Sequence, residues 1–494
     1  MTHPQFSFAL VAAALLLVIA SHAATPQVGY PVPQIIGPTH PTAVAPGGPG
    51  FTVKVYGANF INGSVVNWNK QARTTTFVSG HELDAQILAS DIAVNTAGMI
   101  TVTTTGPNGP ITSSTYSQVE VHRAQRTIGP LQPKYYAHWI LSYAADVNGD
   151  GYLDLAGLDF ASRALGVRSF LNQGDGTFEA GPYVTLRNSS SGGPFQFGDF
   201  NGDGVPDFLY TVGNGLGYPY HLKVNLGNGD GTFLPGAIFD SFPPGVIPSP
   251  RFAVVGDFNQ DGALDVAIQD EGGLPNSTKV FLGNGDGTFT QGLTIHTSPL
   301  YGAVVAGDFN NDGKLDIIGV NRSADLKSFE FMFFAGNGDG TFWPPTLKTT
   351  ISSGPFGIPP CILVTDLNHD GTADLVFGTQ VGQIGVMVGN GDGTFQTPVY
   401  YHVGYLNYFE FAVGDFNSDG NTDVIVQNNN YSCDFEILLG NGDGTLQGPQ
   451  VTQQPGGGAV SNILVGDFNH DGLLDFALGI FGEVFLQPEY NAKP

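Results

Sequence analysis

The chain has 494 residues, among them 70 Gly and 33 Pro, and is 41% hydrophobic and 12% aromatic. That much glycine argues against long helices, while the apolar share suffices for a large core and excludes a disordered, low-complexity chain. With 17 Lys and Arg against 43 acids, the formal charge is -26, which excludes recognition of a nucleic acid through a basic face.

At the N-terminus, ALVAAALLLVIA (9–20) is an apolar run followed by Ser21-His22-Ala23. It reads as a secretory signal, residues 1–24, removed near Ala23 or Ala24. No later run approaches the ~20 apolar residues of a membrane span, so a secreted, extracellular product without a membrane span is expected. Cys361 and Cys433 are too few for a disulfide framework, and two buried thiols or one disulfide both stay open. Residues 28–122 carry alternating or β-branched runs at Phe51 to Tyr56, Ser64 to Trp68, Leu83 to Leu88, Ile100 to Thr104 and Gln118 to Val121, separated by turn clusters. That is the pattern of a β-sandwich. Its GGPGFTVKVYGANF stretch (47–60), then Val65-Val66-Asn67-Trp68, resembles the IPT/TIG branch of immunoglobulin-like domains. The resemblance implies a spacer or protein-contact module.

Residues 126–494 are organised by a repeat. A nine-residue pattern begins at Asp146, Asp199, Asp257, Asp308, Asp366, Asp415 and Asp467, with spacings of 53, 58, 51, 58, 49 and 52 residues. A second signal interleaves with it: LNQGDGTF (171–178), LGNGDGTF (226–233 and 282–289), AGNGDGTF (335–342), VGNGDGTF (388–395) and LGNGDGTL (439–446). Short apolar runs bounded by Gly and Asn turns lie between them, so each repeat reads as about four short strands, the size of a propeller blade. An all-β fold is predicted, a seven-bladed β-propeller preceded by an immunoglobulin-like β-sandwich; ring closure removes exposed sheet edges. Repeat seven stops at EVFLQPEY, after its third strand, and Leu131 to His138 resembles Phe395 to His402. A strand near 126–138 is therefore expected to complete the last blade.

The chemistry lies in the nonapeptides. Oxygen-bearing side chains fall at positions 1, 3, 5 and 9, with Gly at 6. In chain order the sets are Asp146, Asn148, Asp150, Asp154; Asp199, Asn201, Asp203, Asp207; Asp257, Asn259, Asp261, Asp265; and Asp308, Asn310, Asp312, Asp316. The remaining sets are Asp366, Asn368, Asp370, Asp374; Asp415, Asn417, Asp419, Asp423; and Asp467, Asn469, Asp471, Asp475. The backbone carbonyl of position 7 joins each set, from Tyr152, Val205, Ala263, Lys314, Thr372, Asn421 or Leu473. Three carboxylates, an amide oxygen, that carbonyl and a water make the six to eight oxygens that Ca²⁺ takes in irregular geometry; Mg²⁺ wants a stricter octahedron, and Zn²⁺ wants N and S. The first half matches an EF-hand loop, but the twelfth-position Glu and the flanking helices are missing, so position 9 is expected to close the shell. A plain Asp-Asn-Gly turn is the rival reading. Loops and GDG turns hold 27 of the 43 acids, and about seven Ca²⁺ ions would bring the formal charge from -26 to -12. Position 2, always apolar, is expected to plug the space between blades.

Together these loops and turns resemble FG-GAP/VCBS-type repeats, the blades of integrin alpha-chain propellers and of many secreted bacterial proteins. The resemblance implies a seven-bladed propeller, Ca²⁺ between the first two strands of each blade, and adhesion or ligand binding. The opposite face is expected to carry connections that differ between repeats, where Tyr218, Tyr220, Tyr301, Tyr405, Tyr408 and Tyr431 are candidates for stacking on sugars. The expected function is a secreted calcium-binding protein in adhesion or recognition of an extracellular protein or glycan. The alternative is a polysaccharide lyase or glycoside hydrolase on a propeller scaffold; HExxH and GxSxG motifs are missing, and a catalytic carboxylate pair is hard to discern among 43 acids.

Overall fold

The structure is a computed structural model that describes residues 30–106, 109–113, 115–122, 132–135, 140–159, 166–185, 196–212, 221–241, 253–270, 277–296, 300–323, 325, 327–352, 361–379, 382–403, 411–427, 435–452, 463–478 and 483–486. Among these residues every regular element is a β-strand, and no helix is long and apolar enough to cross a membrane. The expected signal segment, Cys433, and Tyr218, Tyr220, Tyr405, Tyr408 and Tyr431 lie outside the described residues.

Residues 30–122 form two sheets. One holds Gln34–Ile35, Phe51–Ala58, Glu82–Ile87 and Thr74–Ser79; the other is built on Thr96–Gly106, flanked by Val65–Trp68 and Ser117–Val121. Alternation places Val53, Val55, Leu83 and Ala85 of the first sheet in one core with Val66, Trp68, Ile100, Val102, Val119 and Val121 of the second. This is a sandwich: each sheet hides one face and leaves the other polar.

Among the described residues from Gln132 onward there are seven four-stranded antiparallel sheets. Sheet three shows the plan: Ala253–Gly256, Asp265–Asp270, Ser277–Gly283 and Phe289–His296, each paired with the next. The nonapeptide connects strands one and two, and position 9 is the first residue of the second strand in all seven sheets. The GDG turn connects strands three and four, on the same end of the sheet. Sheet seven takes its fourth strand from Gln132–Tyr135, antiparallel to Glu483–Leu486, as the sequence similarity predicted.

Position 2 joins neighbouring sheets. Val147, Phe200, Phe258, Phe309, Leu367, Phe416 and Phe468 are all buried. The ring of Phe200 meets Phe289, Phe258 meets Phe342 and Phe309 meets Phe395, each time the aromatic that ends the next sheet's GDGT turn, at centroid separations of 5.6, 5.7 and 6.0 Å. The same contact joins the last sheet to the first, Phe468 to Phe178 at 5.9 Å. Backbone bonds follow the rings: Gly287, Gly340 and Gly393 donate to the carbonyls of Phe200, Phe258 and Phe309. In sheet one, the Asn172 amide donates to the Phe468 carbonyl at 2.9 Å. The architecture is propeller-like, with large side chains repeatedly filling the wedge between sheets. Cys361 packs against the apolar cluster between sheets five and six that includes Val376, Val386, Phe411 and Val424.

Candidate metal-binding loops

In every loop the backbone turns back on itself because positions 4 and 6 are left-handed. Position 4 has φ of 58° at Gln260, 57° at Asn311, 59° at His369, 55° at Ser418 and 62° at His470, and is Gly149 or Gly202 elsewhere. Sequence reading found Gly at position 6 but missed position 4, where five of the seven residues are not glycine; the enrichment of Asn, Ser and His there is the weak signal that was available.

This bend gathers the oxygens of positions 1, 3 and 5. In loop three, Asp257 Oδ1 and Asn259 Oδ1 accept from the same N–H, that of Asp261, at 3.1 and 3.0 Å. Asp257 Oδ2 accepts from Gly262 at 3.0 Å, and the Asn259 amide donates to Asp261 Oδ2 at 2.8 Å. Loops two, four, five, six and seven repeat the shared N–H, from Asp203, Asp312, Asp370, Asp419 and Asp471. Loop one differs: Asp146 accepts from Gly149 and Gly151, and Lys70 pairs with it at 2.5 Å.

Position 9 does a separate backbone task. Asp265 Oδ2 accepts from Phe258 N and its Oδ1 from Gly283 N, both at 2.8 Å. The first bond recurs in all seven loops, and the second in six, from Asn172, Gly227, Gly283, Gly336, Gly389 and Gly440. Position 9 thus ties its loop to the end of the third strand. The donor there is glycine in five sheets because a Cβ at Gly283 would lie 2.2 Å from the Leu264 carbonyl oxygen. Among the described residues no group of three or more His, Cys, Asp or Glu side chains gathers closely enough to hold a metal ion. The oxygens are arrayed, but each position 9 carboxylate is turned to backbone amides.

Electrostatically the loops are unbalanced. Position 9 is fully buried at Asp154, Asp207, Asp265, Asp316, Asp374, Asp423 and Asp475. Burial pushes Asp154 and Asp207 up to about 7, Asp316 and Asp374 to about 8, and Asp265 to about 9, with neighbouring loop carboxylates adding repulsion. Position 1 follows: burial lifts Asp257, Asp308 and Asp467 to about 7, and Asp366 and Asp415 to about 6. The GDG aspartates go the other way. Asp230, Asp286, Asp339, Asp392 and Asp443 are held below the ordinary carboxylate range, chiefly by the hydroxyl of the following Thr, and serve as turn formers. An isolated buried carboxylate is costly unless a cation or protons relieve it.

The loop face is also where the N-terminal sandwich sits, which sequence reading did not foresee. Val32 N donates to Asp257 Oδ2 at 2.7 Å, and Asn59 donates to the Asp257 carbonyl at 2.9 Å. Asn59 N bonds Gly313 O in loop four, and Thr42 Oγ1 donates to Asp415 Oδ2 in loop six at 2.7 Å. Asp467 N of loop seven donates to Gln118 Oε1 at 3.3 Å, while His40 lies against His369 of loop five with centroids 4.6 Å apart. Burial holds both imidazoles below their ordinary range. Of the candidate sugar-stacking tyrosines, Tyr301 alone falls in a described strand, Leu300–Gly307.

The family of FG-GAP-like repeats matches residues 142–210, 257–319, 366–426 and 415–478, stretches that include all seven nonapeptides. Among solved structures, the chain is similar to an auxiliary nutrient binding protein from Bacteroides ovatus, at 12% identity over 94% of this chain and 99% of that one, TM-score 0.38. It is also similar to AofleA from Arthrobotrys oligospora, at 13% identity over 67% and 94%, TM-score 0.37, and to the NanB sialidase of Streptococcus pneumoniae, at 11% over 86% and 85%, TM-score 0.37. No curated protein matches the chain.

Proposed function

For a chain whose repeats match the FG-GAP-like family, we propose a secreted, calcium-stabilised recognition protein: a seven-bladed propeller carrying an immunoglobulin-like, IPT/TIG-type domain on its loop face. It acts in adhesion or in binding an extracellular protein or glycan. The observation that carries the reading is the set of buried carboxylates at positions 1 and 9, repeated in loop after loop and supplied with amide donors but almost no cationic side chains. A carboxylate has about four acceptor sites, so the amide bonds leave capacity for an ion. Positions 1, 3 and 5 and the carbonyl of position 7 would hold it, with a modest turn of position 9 and of the Asn amide, and the divalent charge would offset the burial of the acids. With the N-terminal domain on the loop face, the ligand surface of this reading is the opposite, variable face.

Equilibrium dialysis against ⁴⁵Ca²⁺ tests the metal directly. About seven ions are expected, with affinities on the order of 10⁻⁴–10⁻³ M, the range of extracellular calcium modules. A chain that retains no calcium at millimolar concentration would remove this reading. A glycan array and a time course with polysaccharide substrates then separate binding from cleavage: retention without product is expected.

A further inference from the structure

A cavity of about 300 Å³ lies where the N-terminal sandwich meets sheets six and seven. Its wall is largely apolar, with Ile35, Pro38, Val413, Val465 and Leu474 among its residues. The polar side chains on it are mostly spoken for. Thr42 is bonded to Asp415, Thr115 to the Ile35 backbone, Ser117 to Thr39 N, and Gln118 accepts from Asp467 N. Asp415 itself accepts from Thr42, Asp419 and Gly420.

Glu120 is different. It stands on the strand Ser117–Val121 between Val119 and Val121, which fill the sandwich core, so alternation turns its side chain toward the repeats. The residue is 1% exposed and lines the cavity. Its Oε2 is bonded to the Ser418 hydroxyl, and its Oε1 has no hydrogen-bond partner. Among the described residues no Lys, Arg or His lines the cavity. A buried carboxylate oxygen left in this state is relieved by a proton or by a positive donor, and a space many times the ~30 Å³ share of one water molecule, with apolar walls, suits an organic cation better than a bare ion.

We propose that this cavity binds a small organic ammonium ion, its apolar part against Val413, Val465 and Leu474 and its charge paired with Glu120. The site adjoins loop six, whose proposed calcium ligand Asp415 lines it and whose Ser418 bonds Glu120, so calcium is held constant in the test. The test titrates benzylammonium chloride and its neutral analogue benzyl alcohol into the full chain, in calcium-containing buffer, by calorimetry and ligand-observed NMR. Benzylammonium is expected to bind at least tenfold more tightly than benzyl alcohol, and Glu120→Gln, which keeps the side chain's shape, is expected to abolish that preference. Equal affinities, absence of benzylammonium binding, one-for-one displacement by calcium, or an unchanged preference in Glu120→Gln would each overturn the proposal. The comparison of the two compounds on the unaltered chain stands even where the variant fails to fold.

Discussion

Asp265 and Asp286 belong to one repeat, yet burial pushes the first up to about 9 while Thr288 holds the second below the ordinary range. The difference is position: one anchors the second strand inside the sheet, the other shapes an exposed turn. Asp265→Ala leaves the amides of Phe258 and Gly283 without their acceptor, a loss of about 1–3 kcal/mol for each buried group left unpaired. Asp286→Ala is expected to cost less, and urea unfolding of the two variants measures the gap; equal losses would contradict the tie assigned to position 9. A second residue-scale comparison uses position 6. Gly371 and Gly420 have φ of 82° and 92°, but a Cβ at Gly371 would lie 2.5 Å from Tyr56 Cε1 while one at Gly420 meets nothing within 4 Å. Both alanine variants pay roughly 1–2 kcal/mol for the left-handed backbone. Gly371→Ala should melt lower still, because Tyr56 of the N-terminal sandwich must give way. Identical melting temperatures would argue against that docking contact.

At the level of elements, the closing strand is the sensitive part. Gln132–Tyr135 covers the edge of Glu483–Leu486, and an uncovered edge is a template for pairing with another chain. Replacing these four residues by Gly and Ser is expected to yield oligomers or aggregates in size-exclusion chromatography with light scattering; a stable monomer would show that the edge is protected otherwise. This strand was legible because Leu131 to His138 repeats the chemistry of Phe395 to His402. The inter-sheet wedge was legible too, since position 2 never carries a polar residue. The bond from position 9 to the third strand was not, because its partner lies 15 to 20 residues away in the chain and only the folded sheet brings them together.

For the whole molecule, the raised carboxyl groups set a pH dependence. An acid whose folded pKa exceeds its unfolded value contributes most below the unfolded value, near 4, and loses that contribution as pH rises through the folded value. With Asp366 and Asp415 at about 6 and Asp265 at about 9, the chelated protein should melt at progressively lower temperature between pH 5 and pH 9. Calcium holds carboxylates ionised, so under the proposed function its addition should raise the midpoint most at the alkaline end and flatten the profile. A chelated protein with a flat profile would count against the buried charges, and a profile untouched by calcium would count against the metal.

The spacing of the nonapeptides and GDG turns by itself determined the all-β class, the repetition of small antiparallel sheets, the place of each loop between strands one and two, and the buried apolar residue at position 2. These are local or periodic properties: a turn residue, an alternating strand and a repeat length act within a few dozen residues. The tertiary structure alone decided that residues 30–122 lie over the loop face, that Thr42, Val32 and Asn59 bond to loop acids and carbonyls, and that Glu120 is left buried beside a cavity. Those contacts join residues hundreds of positions apart, up to 373 for Thr42 and Asp415. They depend on how the surfaces of the sandwich and of the repeats fit, which no local pattern encodes.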